Sequence, residues 1–275
     1  MQLLHSVSEL RSRLANEKTI AFVPTMGNLH EGHVELVRIA REKGGCVVVS
    51  IFVNPIQFGP NEDFDKYPRT LDADCAKLQG LADVVFAPSV EEMYPEKQTM
   101  FVEPPPIAKE LCGEFRPGHF MGVATVVLKL FNLVQPQIAI FGKKDYQQLA
   151  IIRQMVIQFN LPIEIVGAET SRAADGLALS SRNQYLSAEE RTEAAFLSQI
   201  LRAVAVSLKN GAVEYAAMER EAGSALAKHG WQVEYIAVRR QADLGVPAKG
   251  ERNLVILVAA RLGKTRLIDN FEVCL

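Results

Sequence analysis

Cysteine, tryptophan and long apolar runs are scarce in this chain of 275 residues. Its thiols form no CxxC pair, so metal-ligand and redox spacings are absent and buried free thiols are predicted. The four cysteines are Cys46, Cys75, Cys112 and Cys274. No apolar run approaches the roughly 20 residues of a membrane helix, and the charged residues 1–14 do not have the apolar core of a signal peptide. We therefore expect a cytoplasmic protein with no membrane partner.

An excess of charge of one sign is also absent. Lys and Arg number 30 against 32 Asp and Glu, which gives a formal net charge of -2 at pH 7. This balance predicts no nucleic-acid partner, although local basic sites for small phosphates stay open. With 48% hydrophobic and 23% charged residues, the composition is typical of a globular protein with an ample core.

Apolar runs alternate with helical periodicity through the first two-thirds of the chain. This alternation predicts an α/β fold with a Rossmann-like, doubly wound parallel sheet, in which ligands bind beyond the carboxyl ends of the strands. The predicted strands are 20–23, 46–53, 84–87, 138–141 and 163–166. The predicted helices between them are 32–43, 71–80, 122–134 and 146–159.

The pattern changes after about residue 172. Helices followed by a strand hairpin indicate a smaller α+β domain. The predicted helices are 188–210 and 213–229, and the predicted strands are 234–239, 254–259 and 265–269. We therefore predict two domains, a Rossmann-like domain at 1–172 and a smaller C-terminal domain at 173–275.

The most informative segment, PTMGNLHEGH at residues 24–33, joins the first of these strands to a helix. A helix N-terminus has free backbone N–H groups and a positive dipole end, so it attracts phosphate. His30 and His33 are three residues apart and share one helix face, while Gly27 and Gly32 permit close backbone approach to a ligand. Two helix-start histidines without catalytic work are the alternative. We favour nucleotide binding with attack at a phosphate.

The segment FGKKDYQQ, residues 141–148, comes at the end of another strand. Here Gly142 ends the strand, Lys144 can meet a phosphate as a point charge, and Asp145 can take ribose hydroxyls. A solvated charged turn is the alternative. One of Gln147 and Gln148 is expected to face the crevice, because the helix they begin is otherwise mostly apolar.

The segment DGLALSSRN, residues 175–183, combines hydroxyl, backbone and guanidinium donors in a loop. Those donors suit a polyphosphate, and a polar domain linker is the alternative. Two further loops, 54–58 and 116–120, combine turn residues with hydrogen-bonding side chains. Asp72 and Asp74 lie near a helix start and are interpreted as surface capping charges.

Taken in order, these motifs resemble the pantothenate synthetase family, the pantoate–β-alanine ligases of the nucleotidylyl-transferase (HxGH) superfamily. The resemblance covers essentially the whole chain. It is carried by PTMGNLHEGH, VSIFVNPIQFGP, YPRTLDAD, RPGHFMGVATVVLKLFNLVQP, FGKKDYQQL, DGLALSSRNQYLS and VILVAARLGKTRLIDN. The HxGH element alone would match any nucleotidylyl-transfer enzyme.

The resemblance implies ATP-dependent condensation of (R)-pantoate with β-alanine. The pantoate carboxylate attacks the α-phosphate of ATP to give pantoyl adenylate and pyrophosphate, and the β-alanine amine then releases AMP and pantothenate. The family uses Mg2+ on the polyphosphate, which implies no dedicated protein cage for a metal. The family is typically dimeric, so a homodimer is implied, with the smaller domain as a lid over the active site.

The resemblance also implies roles for individual residues. It makes His33 the proton donor and gives Lys144 the charge that develops at the α-phosphate. The implied catalytic residues are His30, His33, Lys144 and Arg182. The implied ATP-binding residues are Pro24, Thr25, Met26, Gly27, Asn28, Leu29, His30, Glu31, Gly32, His33, Gly142, Lys143, Lys144, Asp145, Ser171, Leu179, Ser180, Ser181 and Arg182. Pantoate would be bound by Met26, Asn54, Gln57, His119 and Gln148, and β-alanine by Gln57.

Three positions depart from the family pattern, and two other functions stay open. Lys143 stands where an acid is frequent, Leu179 where methionine is frequent, and Ser171 where an apolar residue often meets adenine. A nucleotidyltransferase that attaches AMP or CMP to a phosphate ester would share the HxGH motif, but its acceptor should need more basic residues than paired glutamines. A nucleotide-binding regulatory module without catalysis is the non-enzymatic alternative.

Overall fold

Parallel strands of the first two-thirds of the chain form one six-stranded sheet. The computed structural model describes residues 1–60 and 62–275. The six strands are β1 (Gln2–Leu4), β2 (Ile20–Thr25), β3 (Cys46–Ile51), β4 (Val84–Phe86), β5 (Ile138–Gly142) and β6 (Glu164–Ala168). Their order is β1-β4-β3-β2-β5-β6, and every pairing is parallel. The predicted doubly wound α/β sheet is confirmed, with the three-residue strand β1 as an addition that its short length concealed.

Helices cover both faces of this sheet. They are α1 (Val7–Leu14), α2 (Glu31–Lys43), α3 (Leu71–Leu78), α4 (Val90–Met93), α5 (Cys112–Phe115), α6 (His119–Val134) and α7 (Tyr146–Gln158). Alternate residues of β2 enter different cores: Phe22 packs with α1, α6 and α7, whereas Ala21 and Val23 pack with α2 and α3. Burial on both faces explains why the strands read as unbroken apolar runs.

The C-terminal region has its own sheet and core. Its elements are α8 (Ala188–Glu193), α9 (Phe196–Lys209), α10 (Tyr215–Lys228), β7 (Gln232–Arg240), β8 (Asn253–Leu262) and β9 (Thr265–Cys274), with the strands antiparallel in the order β7-β8-β9. The prediction of a single helix over 188–210 is wrong. The chain turns at Ala194 and Ala195, which are 0% and 5% exposed, because α9 turns a buried face to the core while α8 has none.

The strand order has its topological switch point between β2 and β5. From β2 the chain adds β3 and β4 on one side, and it then returns to add β5 and β6 on the other side. At such a switch point the loops beyond the two carboxyl ends diverge and leave a crevice for ligand. The loop after β2 carries the histidines and the turn after β5 carries Lys144, so two sequence motifs meet there.

The predicted burial of the four cysteines is confirmed only in part. Cys46 and Cys112 are buried free thiols as predicted, Cys75 is only partly buried, and Cys274 is exposed because it lies at the end of the last strand. In the part of the chain that the structure describes, no helix is long and apolar enough to cross a membrane.

Candidate active site

A chamber of about 220 Å³ lies at the switch point. Its polar wall contains both histidines, Lys144, the Ser180–Arg182 loop and two glutamines, and its apolar wall comes largely from α6. It adjoins a wider cleft of about 680 Å³ that reaches the C-terminal sheet. Three of the sequence motifs, far apart in the chain, therefore line one cavity.

The two histidines cap α2 in an unusual way. His30 is the N-cap residue, and its Nδ1 accepts the Gly32 N–H at 3.1 Å. His33 Nδ1 accepts the His30 N–H at 3.3 Å. Each Nδ1 is therefore unprotonated, so each neutral ring carries its proton on Nε2. Gly32 is required for a reason other than ligand contact, because a Cβ there would lie 2.9 Å from the His30 ring.

The electrostatic surroundings keep both rings neutral. Burial, with the nearby Lys144 charge, lowers the pKa of His30 to about 4. Burial, with repulsion from the charges of Lys144 and Lys77 and from His30 when that ring is protonated, lowers the pKa of His33 to about 3. Near pH 7 both residues are neutral hydrogen-bond donors through Nε2, which suits contact with phosphate oxygens.

The turn that carries Lys144 is held from the C-terminal sheet. The side-chain amide of Asn270, on β9, donates to the carbonyl oxygens of Lys143 and Lys144 at 2.9 Å each. Its neighbour Asp269 forms a two-bond ion pair with Arg172 at 2.7 and 2.8 Å. Arg172 also donates to the carbonyl of Gly176, so β9 contacts both the lysine turn and the segment that leads to Ser180.

Lys143 is placed differently from Lys144. Its ammonium lies 2.5 Å from a carboxylate oxygen of Glu169 and 2.7 Å from one of Glu272. Tyr146 donates its hydroxyl to the same Glu272 at 2.7 Å. The added charge of Lys143 is therefore neutralised by two carboxylates, one of them on β9, and contact between Lys143 and ATP stays a prediction.

The Ser180–Arg182 loop lines the chamber and contacts the histidine loop. Ser181 donates its hydroxyl to the carbonyl of Asn28 at 3.3 Å, which ties this loop to the histidine loop. Arg182 pairs with Asp63 at 3.0 Å, and both side chains are partly exposed. A surface pair of this kind contributes little free energy, so an incoming phosphate can replace the carboxylate.

Gln57 has a fixed amide orientation. Its Oε1 accepts from Asn54 Nδ2 at 3.0 Å, and its Nε2 donates to the sulfur of Met26 at 3.0 Å. The Tyr94 hydroxyl donates to Asn54 Oδ1 at 2.8 Å. Gly122 lets α6 approach this turn, since a Cβ there would lie 2.3 Å from the carbonyl oxygen of Ile56. Gln57 lines the chamber and has one Nε2–H left for a ligand there.

The two adjacent glutamines of α7 have separate roles, as the sequence predicts. Gln148 lines the chamber. Gln147 is buried, donates to the carbonyls of Ile107 and Glu110, and accepts from the N–H of Cys112. Gln148 is thus the one available to a ligand in the chamber.

His119 lies behind Gln57 and does not line the chamber. Arg116 donates to its Nε2 at 2.9 Å, so its Nδ1 carries the proton and donates to the carbonyl of Gln57 at 2.9 Å. Burial, with the Arg116 charge, lowers the pKa of His119 to about 4. Arg116 is held in turn by Glu62 through two bonds of 2.7 and 2.6 Å. Direct contact of His119 with pantoate stays a prediction.

The structure adds residues that the sequence analysis missed. The apolar wall is formed by Phe52, Val123, Val126, Val127, Leu130 and Phe141. The sequence feature that could have revealed the α6 residues is that this helix is apolar on nearly all sides. Such a pattern indicates burial but does not indicate a ligand. Of the predicted ATP-binding set, Gly27, Asn28, Leu29, Glu31 and Lys143 do not line the chamber. Glu31 instead forms a surface ion pair with Arg38.

Known proteins are similar to this chain in sequence and in fold. A family model described as pantoate-beta-alanine ligase matches residues 2–272. The pantothenate synthetase of Methylobacillus flagellatus is 58% identical over 273 residues, which are 99% of this chain and 98% of that protein. The crystal structure of pantothenate synthetase from Thermus thermophilus is similar with a TM-score of 0.95 at 46% identity, and 100% of each chain is covered.

One solved relative holds ligands. The pantoate-beta-alanine ligase of Francisella tularensis, in complex with beta-gamma ATP and beta-alanine, has a TM-score of 0.84 at 36% identity, over 98% of this chain and 97% of that one. Family, relatives and fold agree across the full length, and they favour the ligase over the nucleotidyltransferase and the regulatory module. The chain therefore belongs to the pantoate–beta-alanine ligase family of pantothenate-forming enzymes.

Proposed function

We propose that the chamber at the switch point adenylates pantoate with ATP and then transfers the pantoyl group to β-alanine. The observation that carries this proposal is the convergence of His30, His33, Lys144 and Gln148 on one cavity whose opposite wall is apolar. Phosphate-binding groups and a small apolar subsite are what a reaction between a polyphosphate and a dimethyl hydroxy acid requires.

In the first step a carboxylate oxygen of pantoate bonds to the α-phosphorus of ATP, and the bond to the bridging oxygen of pyrophosphate breaks. Both reactants are anions, so catalysis rests on positioning and on neutralising charge. Lys144 supplies a cation near both rings, and the histidines donate two neutral hydrogen bonds from Nε2. Because a neutral imidazole adds no charge, we assign His30 and His33 to orienting the phosphates and Lys144 to stabilising the developing charge.

Pantoate recognition follows from the two sides of the chamber. The remaining N–H of Gln57 and the amide of Gln148 can bind its carboxylate and hydroxyl groups. The wall formed by α6, Phe52 and Phe141 can take its two methyl groups, because their burial there is favourable. Met26 joins the two sides, since its sulfur accepts from Gln57.

In the second step the β-alanine amine bonds to the acyl carbon of pantoyl adenylate. The bond to the AMP oxygen breaks, and the amine loses a proton to solvent. We place β-alanine in the cleft next to the chamber, with Gln57 in reach of the acyl group. That cleft is lined by Lys264, whose ammonium suits a carboxylate, whereas Arg116 and Arg266 in the same lining are already paired with Glu62 and Glu234.

Magnesium is proposed as a companion of the polyphosphate. Among residues 1–60 and 62–275, no three His, Cys, Asp or Glu side chains come together in a cage for a metal. The donors at the chamber mouth fit an ion held mostly by phosphate oxygens, with Asp63 or Asp145 as an additional ligand. The ion would supply positive charge to the polyphosphate. Chelation should abolish pyrophosphate release, and added MgCl2 should restore it.

The domain division and the oligomeric state are proposed as well. One set of hydrophobic clusters ends at residue 168 and another cluster begins at 177, which supports a boundary near 172/173. A smaller apolar cluster joins the two parts and contains Leu111, Tyr146, Ala150, Ala237, Leu244, Val255 and Leu257. We propose that residues 173–275 act as a lid, because the loop with Arg182 and the cleft-lining strands belong to that part. A homodimer is proposed from the family resemblance, and sedimentation should give twice the chain mass of 30.4 kDa.

The experiment is a mass-spectrometric assay of the purified protein with ATP and pantoate, with and without β-alanine. Pantothenate and AMP are expected only with all three substrates, and enzyme-bound pantoyl adenylate without β-alanine. A product in which AMP is joined to a phosphate ester, or release of ADP, would contradict the proposal.

A further inference from the structure

A buried carboxylate lies behind the two histidines and outside the chamber. Asp74, on α3, is 0% exposed. The interpretation of Asp74 as a surface charge is therefore wrong, whereas its neighbour Asp72 is exposed as expected. A charged group with no contact to water needs hydrogen-bond donors that replace water. The donors to Asp74 therefore indicate which part of the structure it holds in place.

The donors are consecutive backbone N–H groups of the loop between β2 and α2. Asp74 Oδ2 accepts from the N–H of Asn28 at 2.8 Å, and Oδ1 accepts from the N–H of Leu29 at 2.7 Å. Gly27 and Asn28 both have positive φ angles, 80° and 50°, and the two N–H groups that the carboxylate binds are those of Asn28 and Leu29. The Thr70 hydroxyl donates to Oδ2 at 3.2 Å and completes the shell.

The same helix also holds the carbonyl side of this loop. Lys77, one turn after Asp74, donates its ammonium to the carbonyl oxygen of Leu29. Ser181 donates to the carbonyl of Asn28 from the opposite side. The two peptide units before His30 are thus held by hydrogen bonds from α3 and from the Ser180–Arg182 loop.

The fixed peptides determine where the imidazoles lie. The left-handed backbone at Asn28 is uncommon for a residue other than glycine, and the carboxylate stabilises it by binding the N–H groups that it turns inward. His30 follows directly, and its own N–H is the donor that His33 Nδ1 accepts. A shift of residues 28 and 29 would therefore move both rings and their Nε2 protons.

We infer that Asp74 is a positioning residue for adenylation, which holds residues 28–30 so that His30 and His33 present their Nε2–H groups to the polyphosphate. The inference rests on the proposed function of the two histidines. Asp74 itself does not touch substrate, because it is buried on the far side of the loop. It acts through the backbone, so its loss should be felt in the first chemical step.

The variant Asp74→Asn tests this inference, with Asp72→Asn on the same helix as the matched control. An amide oxygen can accept from one of the two N–H groups, but the amide NH2 would face the other. We expect pyrophosphate release from ATP and pantoate to fall by roughly 10–100-fold, the scale for a small misplacement of reacting groups. The reaction of supplied pantoyl adenylate with β-alanine should change less than about 2-fold, and Asp72→Asn should change neither step.

A second readout separates positioning from a general loss of structure and does not need activity. The charged groups that face the two rings are Lys144 and Asp145 on the turn after β5 and Lys77 on α3, and all three remain in the variant. Titration of the imidazole 15N signals should show that the pKa values of His30 and His33 rise toward the ordinary histidine value in Asp74→Asn. They should not change in Asp72→Asn. A general destabilisation would lower the melting temperature and leave these titrations unchanged.

Wild-type adenylation in Asp74→Asn, or equal losses in both chemical steps, would overturn the inference. If the wild type forms no pantoyl adenylate, the proposed function fails, and the titrations still decide the positioning. If Asp74→Asn does not fold, Thr70→Val removes only the hydroxyl donor. It should then lower the adenylation step selectively by a smaller factor, and no selective loss would overturn the inference.

Discussion

The imidazole rings of His30 and His33 lie 4.0 Å apart between centroids, and each Nδ1 accepts a backbone N–H at the start of α2. The sequence predicts the shared face, but the hydrogen bonds assign the tautomer. Both rings are neutral with Nε2 protonated, so in the proposed function the pair would bind an anion through directed hydrogen bonds, and Lys144 would supply the cationic charge.

Buried neutral histidines make the stability pH-dependent. The pKa values of His30, His33 and His119 are lowered to about 4, 3 and 4. The unfolded chain binds protons near pH 6.5 that the folded chain does not bind, so stability falls as the pH decreases from about 6.5 towards 4. Between pH 7 and pH 5, the free energy of unfolding measured with urea should decrease by roughly 1–2 kcal/mol less in His119→Asn than in the wild type. An identical pH dependence would show that His119 is not held neutral.

Removal of the Lys144 charge should slow adenylation. We expect Lys144→Ala to lower pantoyl-adenylate formation by roughly 10²–10³, the scale for losing one preorganised charge-stabilising group. Rapid-quench measurement of pyrophosphate release reports that step. The control is Lys228→Ala, an exposed lysine on α10, which should leave the rate unchanged. A wild-type adenylation rate in Lys144→Ala would refute the assignment.

The adjacent glutamines of α7 offer a matched pair. Gln148→Ala should raise the KM for pantoate more than the KM for ATP, because Gln148 lines the chamber with the pantoate subsite. Gln147→Ala should instead lower the free energy of unfolding by about 1–3 kcal/mol, since it leaves buried backbone groups without a partner. Steady-state kinetics and urea unfolding of both variants check this. Equal rises in the two KM values for Gln148→Ala would count against pantoate binding there.

The hydrogen bonds from Asn270 on β9 to the turn that carries Lys144 should affect the rate of adenylation. Asn270→Ala removes both hydrogen bonds to the carbonyls of Lys143 and Lys144, so the turn gains freedom and kcat for adenylation should fall by roughly 10-fold. Asn253→Ala, at an exposed position at the start of β8, is the control. If both variants adenylate pantoate at the same rate, β9 does not position Lys144.

Regular patterns made much of this fold accessible from sequence. Parallel strands buried on both faces appear as apolar runs, and the polar residues after β2, β3 and β5 meet because parallel strands end at one edge of the sheet. Strand β1, with only three residues, has no such pattern. The break at Ala194 was also missed, because two alanines continue a helical sequence and only packing against the core turns the chain.

Side-chain partners could not be predicted in the same way. Asp74 has the same local sequence context as Asp72, and their opposite burial is set by the loop that α3 packs against, 45 residues earlier in the chain. The partners of His119 are a second case, because Arg116 and the carbonyl of Gln57 contact its two ring nitrogens, and no sequence pattern indicates either contact. Long-range contacts of this kind leave no periodic signal.

The most direct test of the central claim follows oxygen atoms. Pantoate labelled with 18O in its carboxylate is incubated with the protein, ATP and β-alanine, and the AMP is analysed by mass spectrometry. Attack of the carboxylate on the α-phosphate predicts AMP that carries one 18O atom, together with unlabelled pyrophosphate. Unlabelled AMP, or label in inorganic phosphate together with ADP, would contradict it.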